Sequence, residues 1–308
     1  MSCLPDSSAR PAGGVLFLDK PGGWTSRRAV NEVSRLFGGV KAGHTGTLDP
    51  LATGMLPIML GEATRFSGYG LDADKSYEVE IDLSLQTDTL DCEGEVTSRF
   101  DTIPLSADVE AAVAEFRGEY DQYPPVYSAI HIDGKRAHEL ARQGQEVKLA
   151  PRHVAIREIR LLEWEWPRLC LSVTCSKGTY IRALARDIGE RLHIGGCVVA
   201  LRRLSTGNWP PEVMVDFDML KIRGEHAIMP IRAWLRHLPE VELDRNEAKR
   251  FVQGQRIPVS LPEAHDDGIA VCCGKLFLGT GRIRPGRVAG QVLHPERILP
   301  SSQQAMLG

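Results

Sequence analysis

Apolar and polar positions in this chain alternate most regularly between Tyr77 and Leu85 (Tyr-Glu-Val-Glu-Ile-Asp-Leu-Ser-Leu). That period of two predicts a strand with Tyr77, Val79, Ile81, Leu83 and Leu85 on one buried face. Gly14 to Leu18 is apolar throughout and runs into Pro21-Gly22-Gly23, as a buried strand entering a turn does. Met55 to Leu60 reads as another strand, and Pro57 places it at a sheet edge or a bulge. Val126 to Ile132 and Gly195 to Leu204 add two more. Val154 to Leu162 and Leu169 to Cys175 form an expected antiparallel pair, bridged by the polar segment 163–168. Asp91 to Gly94 is an expected turn before a short returning strand.

Helical spacing appears in four places. Arg27 to Phe37 carries Val30, Val33, Leu36 and Phe37 on one face, with Ser26 as its expected cap. Ser106 to Phe116 and Gly134 to Gln143 are the next two. Thr179 is the expected cap of a helix running to Leu192, whose Ile181, Leu184, Ala185, Ile188 and Leu192 make an apolar stripe. Arg182 and Arg186 lie one turn apart on another face of it. Long strands with irregularly inserted helices and no βαβ rhythm predict an α+β fold with a mixed, largely antiparallel sheet. The pattern changes near residue 238. A short helix, Asn246 to Gln253, precedes strands at Gly268–Cys273 and Lys275–Gly279 and an Arg/Gly-rich run to Gly290. The expected division is therefore 1–238 and a small β-rich module, 239–308.

Composition narrows the class. Charged residues at 25% and hydrophobic ones at 43% suit a soluble globular protein. No apolar run approaches a membrane span, and the seven scattered cysteines form no C-x-x-C pair. Together these predict a cytoplasmic protein with reduced thiols. The nine histidines form no H-E-x-x-H cluster, so neither metal nor other cofactor is expected. The net charge of −3 hides a gradient: residues 72–121 carry 15 acidic and 3 basic side chains, whereas 122–210 carry 14 basic and 8 acidic, and 245–308 carry 9 and 5. A polyanion would meet the second and third segments and be repelled by the first.

Candidate chemistry concentrates in Gly43-His44-Thr45-Gly46-Thr47-Leu48-Asp49-Pro50-Leu51-Ala52-Thr53-Gly54. Its three glycines permit unusual backbone angles, and Pro50 biases Asp49 toward an extended conformation. Asp49, its single carboxylate, is therefore presented on a stiff, irregular loop. Gly38 to Thr45 differs from a phosphate loop by His44 in place of the lysine, and Pro50 and Gly54 interrupt the helix that should follow.

Three further segments accompany this one: Leu18-Asp19-Lys20-Pro21-Gly22-Gly23-Trp24-Thr25-Ser26; Lys75-Ser76-Tyr77-Glu78-Val79 with Gln86-Thr87-Asp88-Thr89-Leu90-Asp91; and Cys175-Ser176-Lys177-Gly178-Thr179-Tyr180-Ile181-Arg182. In this order they resemble the motifs of the TruB family of tRNA pseudouridine synthases, over roughly Gly14 to Thr206.

The resemblance implies the pseudouridine synthase fold, a C-terminal PUA-like RNA-binding domain, and action on the T-loop uridine (position 55) of tRNA. It implies a set of site residues: Asp49 as the catalytic aspartate, attacking the sugar or removing a proton from it; Arg182 as its partner; and Tyr77 under the flipped base. Tyr180 and Leu201 would line the uracil pocket and His44 would fill space vacated in the RNA loop, while Asp19 and Lys20 would support the catalytic loop. The expected partner is the tRNA T stem-loop, bound by a monomer without membrane or metal. Three positions depart from the pattern: Ser84 for a glycine, which would alter a bulge near Tyr77, and His131 and His138 for a lysine and a tyrosine, which bear on RNA contacts. Two other readings remain, an RNA-binding or RNA-folding protein without catalysis and a guide-RNA-dependent synthase.

Overall fold

The alternating stretch around Tyr77 lies in the middle of the main sheet of the computed structural model, which describes residues 13–128, 131–132, 135–136, 149–259, 268–285 and 290–307. In chain order the strands are β1 (Gly13–Lys20), β2 (Ala42–His44), β3 (Thr53–Gly61), β4 (Lys75–Asp82), β5 (Leu85–Thr87), β6 (Val96–Arg99), β7 (Gly118–Gln122), β8 (His131–Ile132), β9 (Lys135–Arg136), β10 (Arg152–Glu165), β11 (Arg168–Cys175) and β12 (Cys197–Thr206). The main sheet runs β1-β3-β12-β4-β11-β10-β7, with β2 beside β3. Its pairs are antiparallel except β12–β3, so the sheet is mixed and largely antiparallel, as expected.

Helices α1 (Ser26–Leu36), α2 (Gly68–Leu71), α3 (Ser106–Glu115) and α4 (Ile181–Arg191) are inserted between strands, followed by α5 (Phe217–Arg223) and α6 (Ile231–Trp234). The stripe of α4 and the Val30–Val33 face of α1 pack with Tyr77, Val79 and Ile81 in one apolar core. Burying each large aliphatic side chain there contributes roughly 1.5–3 kcal/mol.

The C-terminal strands β13 (Glu240–Glu242), β14 (Ile257–Val259), β15 (Ile269–Cys273), β16 (Leu276–Pro285) and β17 (Gln291–Ile298) form a separate sheet, with α7 (Arg245–Val252) and α8 (Pro300–Leu307). Val241, Phe251, Leu278 and Leu293 give it a core of its own. It is also fastened to the rest: Ala270, Phe277 and Leu299 share a cluster with Phe17, Met55 and Phe66, and Ser301 donates to Glu62 through its N–H (3.0 Å) and hydroxyl (2.6 Å).

Several local expectations are corrected. β3 lies inside the sheet without a bulge against β1. On its other side β2 pairs residues 58–60 and β12 pairs 53–54, so Pro57 falls between two partners, where a missing N–H costs little. The cap of α1 is Thr25, which accepts from Arg28 N–H, and α4 begins after Tyr180, because the Thr179 hydroxyl donates to Ser176 C=O instead. β10 and β11 extend into the segment expected to bridge them. The alternation of β4 stops at Leu83; Ser84 N–H and hydroxyl bond Asp82 in a turn, away from Tyr77. Val126 to Ser128 form a bend, and Lys135–Arg136 pair as a strand where a helix was expected. The rest of that helix, with His138, and the side chain of His131 lie outside the described residues.

Candidate active site

The loop between β2 and β3 is fixed from three sides, chiefly through its backbone. The buried Ser26 hydroxyl accepts from Leu48 N–H (2.8 Å) and donates to Leu48 C=O (2.9 Å). Gly23 N–H donates to Pro50 C=O (2.8 Å), which the Lys20 ammonium also approaches (3.3 Å) while bonding Trp24 C=O (2.6 Å) and Pro21 C=O (3.0 Å). From below, Arg203 donates to Met55 C=O (2.6 Å), Gly46 C=O (3.2 Å) and Thr47 C=O (3.5 Å). Gly54 is required at the end of the loop: φ is 94°, and a Cβ there would lie 2.2 Å from the Arg203 carbonyl oxygen.

Asp49 projects from this frame onto Arg182, at the start of α4. Arg182 Nη2 donates to Asp49 Oδ1 at 3.2 Å, and Nε lies 2.9 Å from Oδ2 as an ion pair without hydrogen-bond geometry, so the guanidinium meets the carboxylate at two points. The rest of the guanidinium meets Asp91 (3.2 Å), Thr89 C=O (2.7 Å) and Tyr127 C=O (3.0 Å). The side chains of Arg182 and Asp91 are 7% and 5% exposed, whereas Asp49 keeps 33%. Asp49 is thus the member of the triad that opens outward.

It opens into a cavity of about 310 Å³ that Tyr77, Tyr180, Leu201, Lys75 and Arg203 also line. Five predicted residues, Asp49, Tyr77, Tyr180, Arg182 and Leu201, meet here. Tyr77 is placed by β4, directly opposite Arg203 on β12. Burial raises the Tyr77 phenol above its usual pKa, and the Arg203 cation partly offsets this. Tyr180 is held by Gln122, which accepts from its N–H (2.8 Å) and donates to its carbonyl (3.2 Å). Burial raises the Tyr180 phenol too, against Arg152 and a bond to Ser128.

The other three predicted residues do not line the cavity. Asp19 forms a two-point ion pair with Arg202 (2.7 and 3.0 Å). Lys20 is fully buried behind Pro50, and desolvation pushes its pKa down to about 8 despite the opposing fields of Asp49 and Glu93. His44 lies opposite Ile58 at the loop entrance; burial, then Arg203 and Arg27, lower its pKa. Sequence reasoning missed Ser26 as a latch, Asp91 as the second carboxylate on Arg182, and Arg203. Asp91 had a signal in the Gln86–Asp91 motif; Arg203 had none beyond the Arg202-Arg203 pair. Among the described residues no group of three or more His, Cys, Asp or Glu is arranged to hold a metal.

The fold is shared with solved structures. A chain from a structure described as a Cbf5-Nop10-Gar1 complex is 26% identical with a TM-score of 0.72, covering 93% of this chain and 84% of that one. One from an H/ACA RNP bound to a substrate RNA containing 2'-deoxyuridine is 24% identical with a TM-score of 0.71 over the same shares, a likeness of fold alone. Family models assign the class, pseudouridylate synthase. That for the TruB family pseudouridylate synthase N-terminal domain matches residues 34–181, that for the tRNA pseudouridylate synthase B C-terminal domain 182–233, and that for the pseudouridine synthase II TruB C-terminus 239–298. Among curated relatives, tRNA pseudouridine synthase B of Ralstonia pickettii (strain 12J) is 45% identical over 94% of this chain and 95% of its own length. The protein of that description from Cupriavidus metallidurans (strain ATCC 43123 / DSM 2839 / NBRC 102507 / CH34) is 44% identical over 96% and 99%. The chain belongs to the TruB family.

Proposed function

We propose that this protein isomerises uridine to pseudouridine in the T loop of tRNA, at position 55, as a monomer in the cytoplasm. The observation that carries the reading is the Asp49 carboxylate, gripped at two points by buried Arg182 and facing Tyr77 across one cavity. A uridine inside a folded loop must leave its stack to reach such a recess, at a cost of a few kcal/mol. Tyr77 then takes the base on its ring, Tyr180 and Leu201 wall off water, and Asp49 acts on the sugar as nucleophile or base. Carbon–nitrogen cleavage and carbon–carbon rejoining balance without redox change, so the chemistry calls for no electron carrier.

The same reading divides the chain into a catalytic domain, 1–238, and an RNA-binding domain, 239–308. Support comes from the separate C-terminal sheet and from the break between family matches at 233 and 239. Independence from a guide RNA is favoured by the contrast between 45% identity to a tRNA pseudouridine synthase B and 26% to the chain in the Cbf5 complex.

The test is incubation of the purified chain alone with an unmodified tRNA transcript, followed by mass spectrometry of nuclease fragments. Pseudouridine confined to the T-loop fragment is the expected result. No product, with RNA still bound, would leave an RNA-binding protein; product only after a guide RNA is added would assign it to the guided class.

A further inference from the structure

Arg203 is among the largest fully buried side chains of the protein, 1% exposed, and no carboxylate lies within 4.0 Å of it among the described residues. Buried cations ordinarily sit against an anion. Here the compensation is three carbonyl oxygens, of Gly46, Thr47 and Met55, the first two within the Asp49 loop and the third just after it. The loop is shaped to receive it. Gly46, at φ 121°, leaves its missing Cβ 3.5 Å from Arg203 Nη1, and Gly54 closes on the Arg203 backbone. Arg203 on β12 is the cross-strand partner of Tyr77 on β4, and both line the active-site cavity.

We propose that Arg203 is a positioning residue that couples the Asp49 loop to Tyr77: it fixes the loop carbonyls and presents a donor to the phenol oxygen, leaving the phenol's own proton to face the reacting base. The directionality follows from the chemistry of the guanidinium, which has donors and no acceptor. A phenol oxygen that meets such a group acts toward it as an acceptor. The hydroxyl hydrogen is then directed elsewhere, into the cavity. Arg182 orients the carboxylate of Asp49, and Arg203 holds the backbone from which that carboxylate projects. A single rigid side chain thereby sets the distance between the two groups that flank the substrate. The inference rests on the reading of Asp49 and Tyr77 as groups that meet the substrate.

The test is a double-mutant cycle on the full chain, with single-turnover pseudouridine formation and tRNA affinity measured separately. Arg203→Gln should slow the saturating rate by about 100-fold or more while affinity stays within about threefold, and Arg203→Lys, which retains the charge, should recover at least about tenfold. In the Tyr77→Phe background the loss caused by Arg203→Gln should shrink by about tenfold, because part of it travels through the phenol oxygen. Equal losses in both backgrounds would overturn the coupling and leave a structural arginine. If the Arg203 variants do not fold, NMR of the 15N-arginine-labelled protein takes their place. Tyr77→Phe removes one oxygen and must shift the slowly exchanging Arg203 guanidinium signal; an unmoved signal overturns the proposal. Asp49→Asn serves as the control for the underlying reading: if it retains wild-type activity, that reading fails, whatever the cycle gives.

Discussion

Two cavities of opposite electrostatic design lie on either side of the segment Leu71–Ala73. The smaller, about 310 Å³, holds Asp49 and is built from central strands whose cations are all committed. Arg182 is gripped by two carboxylates and two carbonyls, Arg203 by three carbonyls, and Lys75 by the carbonyls of Gly70, Leu71 and Ala73. The larger, about 1030 Å³, lies between the 65–73 segment and the C-terminal sheet. Arg236 there stacks over Trp209 at 4.0 Å and Arg282 pairs with Glu296, but Arg65 and Arg297 make no ion pair among the described residues. Committed cations hold atoms in place, since their charge is already met by fixed carboxylates or carbonyls. Uncommitted, exposed ones remain available to an anion and can be exchanged at little structural cost. The contrast assigns geometry to the first cavity and attraction of a polyanion to the second.

Asp49→Asn is the sharpest way to break this contrast. Arg182 keeps Asp91 as a counter-ion, so the melting temperature should stay within about 4 °C, the change expected from roughly 1 kcal/mol. Pseudouridine formation should fall by about 10⁴-fold or more, with tRNA affinity within about tenfold, because phosphate contacts lie elsewhere. Filter binding and mass spectrometry of the same protein measure both; equal product from variant and wild type would remove Asp49 from the mechanism.

A smaller effect should follow from pH. The Lys20 pKa is lowered to about 8, so the ammonium that bonds Pro50 C=O is present below that pH and is lost as pH rises through it. Between about 8 and the unfolded value of 10.5, the unfolded chain binds more protons than the folded one. This group therefore makes stability rise with pH there, even as its clamp on the loop is released. Activity should show an alkaline limb near pH 8 that Lys20→Arg moves upward by at least about one unit, since arginine stays charged. Lys75, also lowered to about 8 by burial, is tested separately by Lys75→Arg; a limb unmoved by Lys20→Arg would exclude Lys20 as its origin.

The smallest change belongs to the larger cavity. Arg65→Ala with Arg297→Ala should raise KM for tRNA by about 3- to 10-fold and lower the slope of log affinity against log salt by roughly 1–2, with kcat within about twofold. An unchanged salt slope would show that these arginines meet no phosphate.

The same contrast governs what could be read without a structure. Strand periodicity at Tyr77 and the stripe of α4 were legible because burial of one face repeats with a fixed period. Asp49, Tyr77 and Arg182 were legible from their motifs, and the structure brings them together although Asp49 and Arg182 are 133 positions apart in the sequence. Pro57 misled, because a proline inside a sheet is tolerated only where the neighbouring strand changes, and that depends on β2 and β12 together. Ser26 carried the signature of a cap but turned its hydroxyl to Leu48. Sequence by itself therefore determined the central strands β1, β3, β4, β11 and β12, the α+β class and the identity of the candidate site side chains. Tertiary structure alone decided how they are held. Lys20, Lys75 and Arg203 are compensated by backbone carbonyls, which every residue carries, so no residue type at Pro50, Ala73 or Gly46 marks it as their partner.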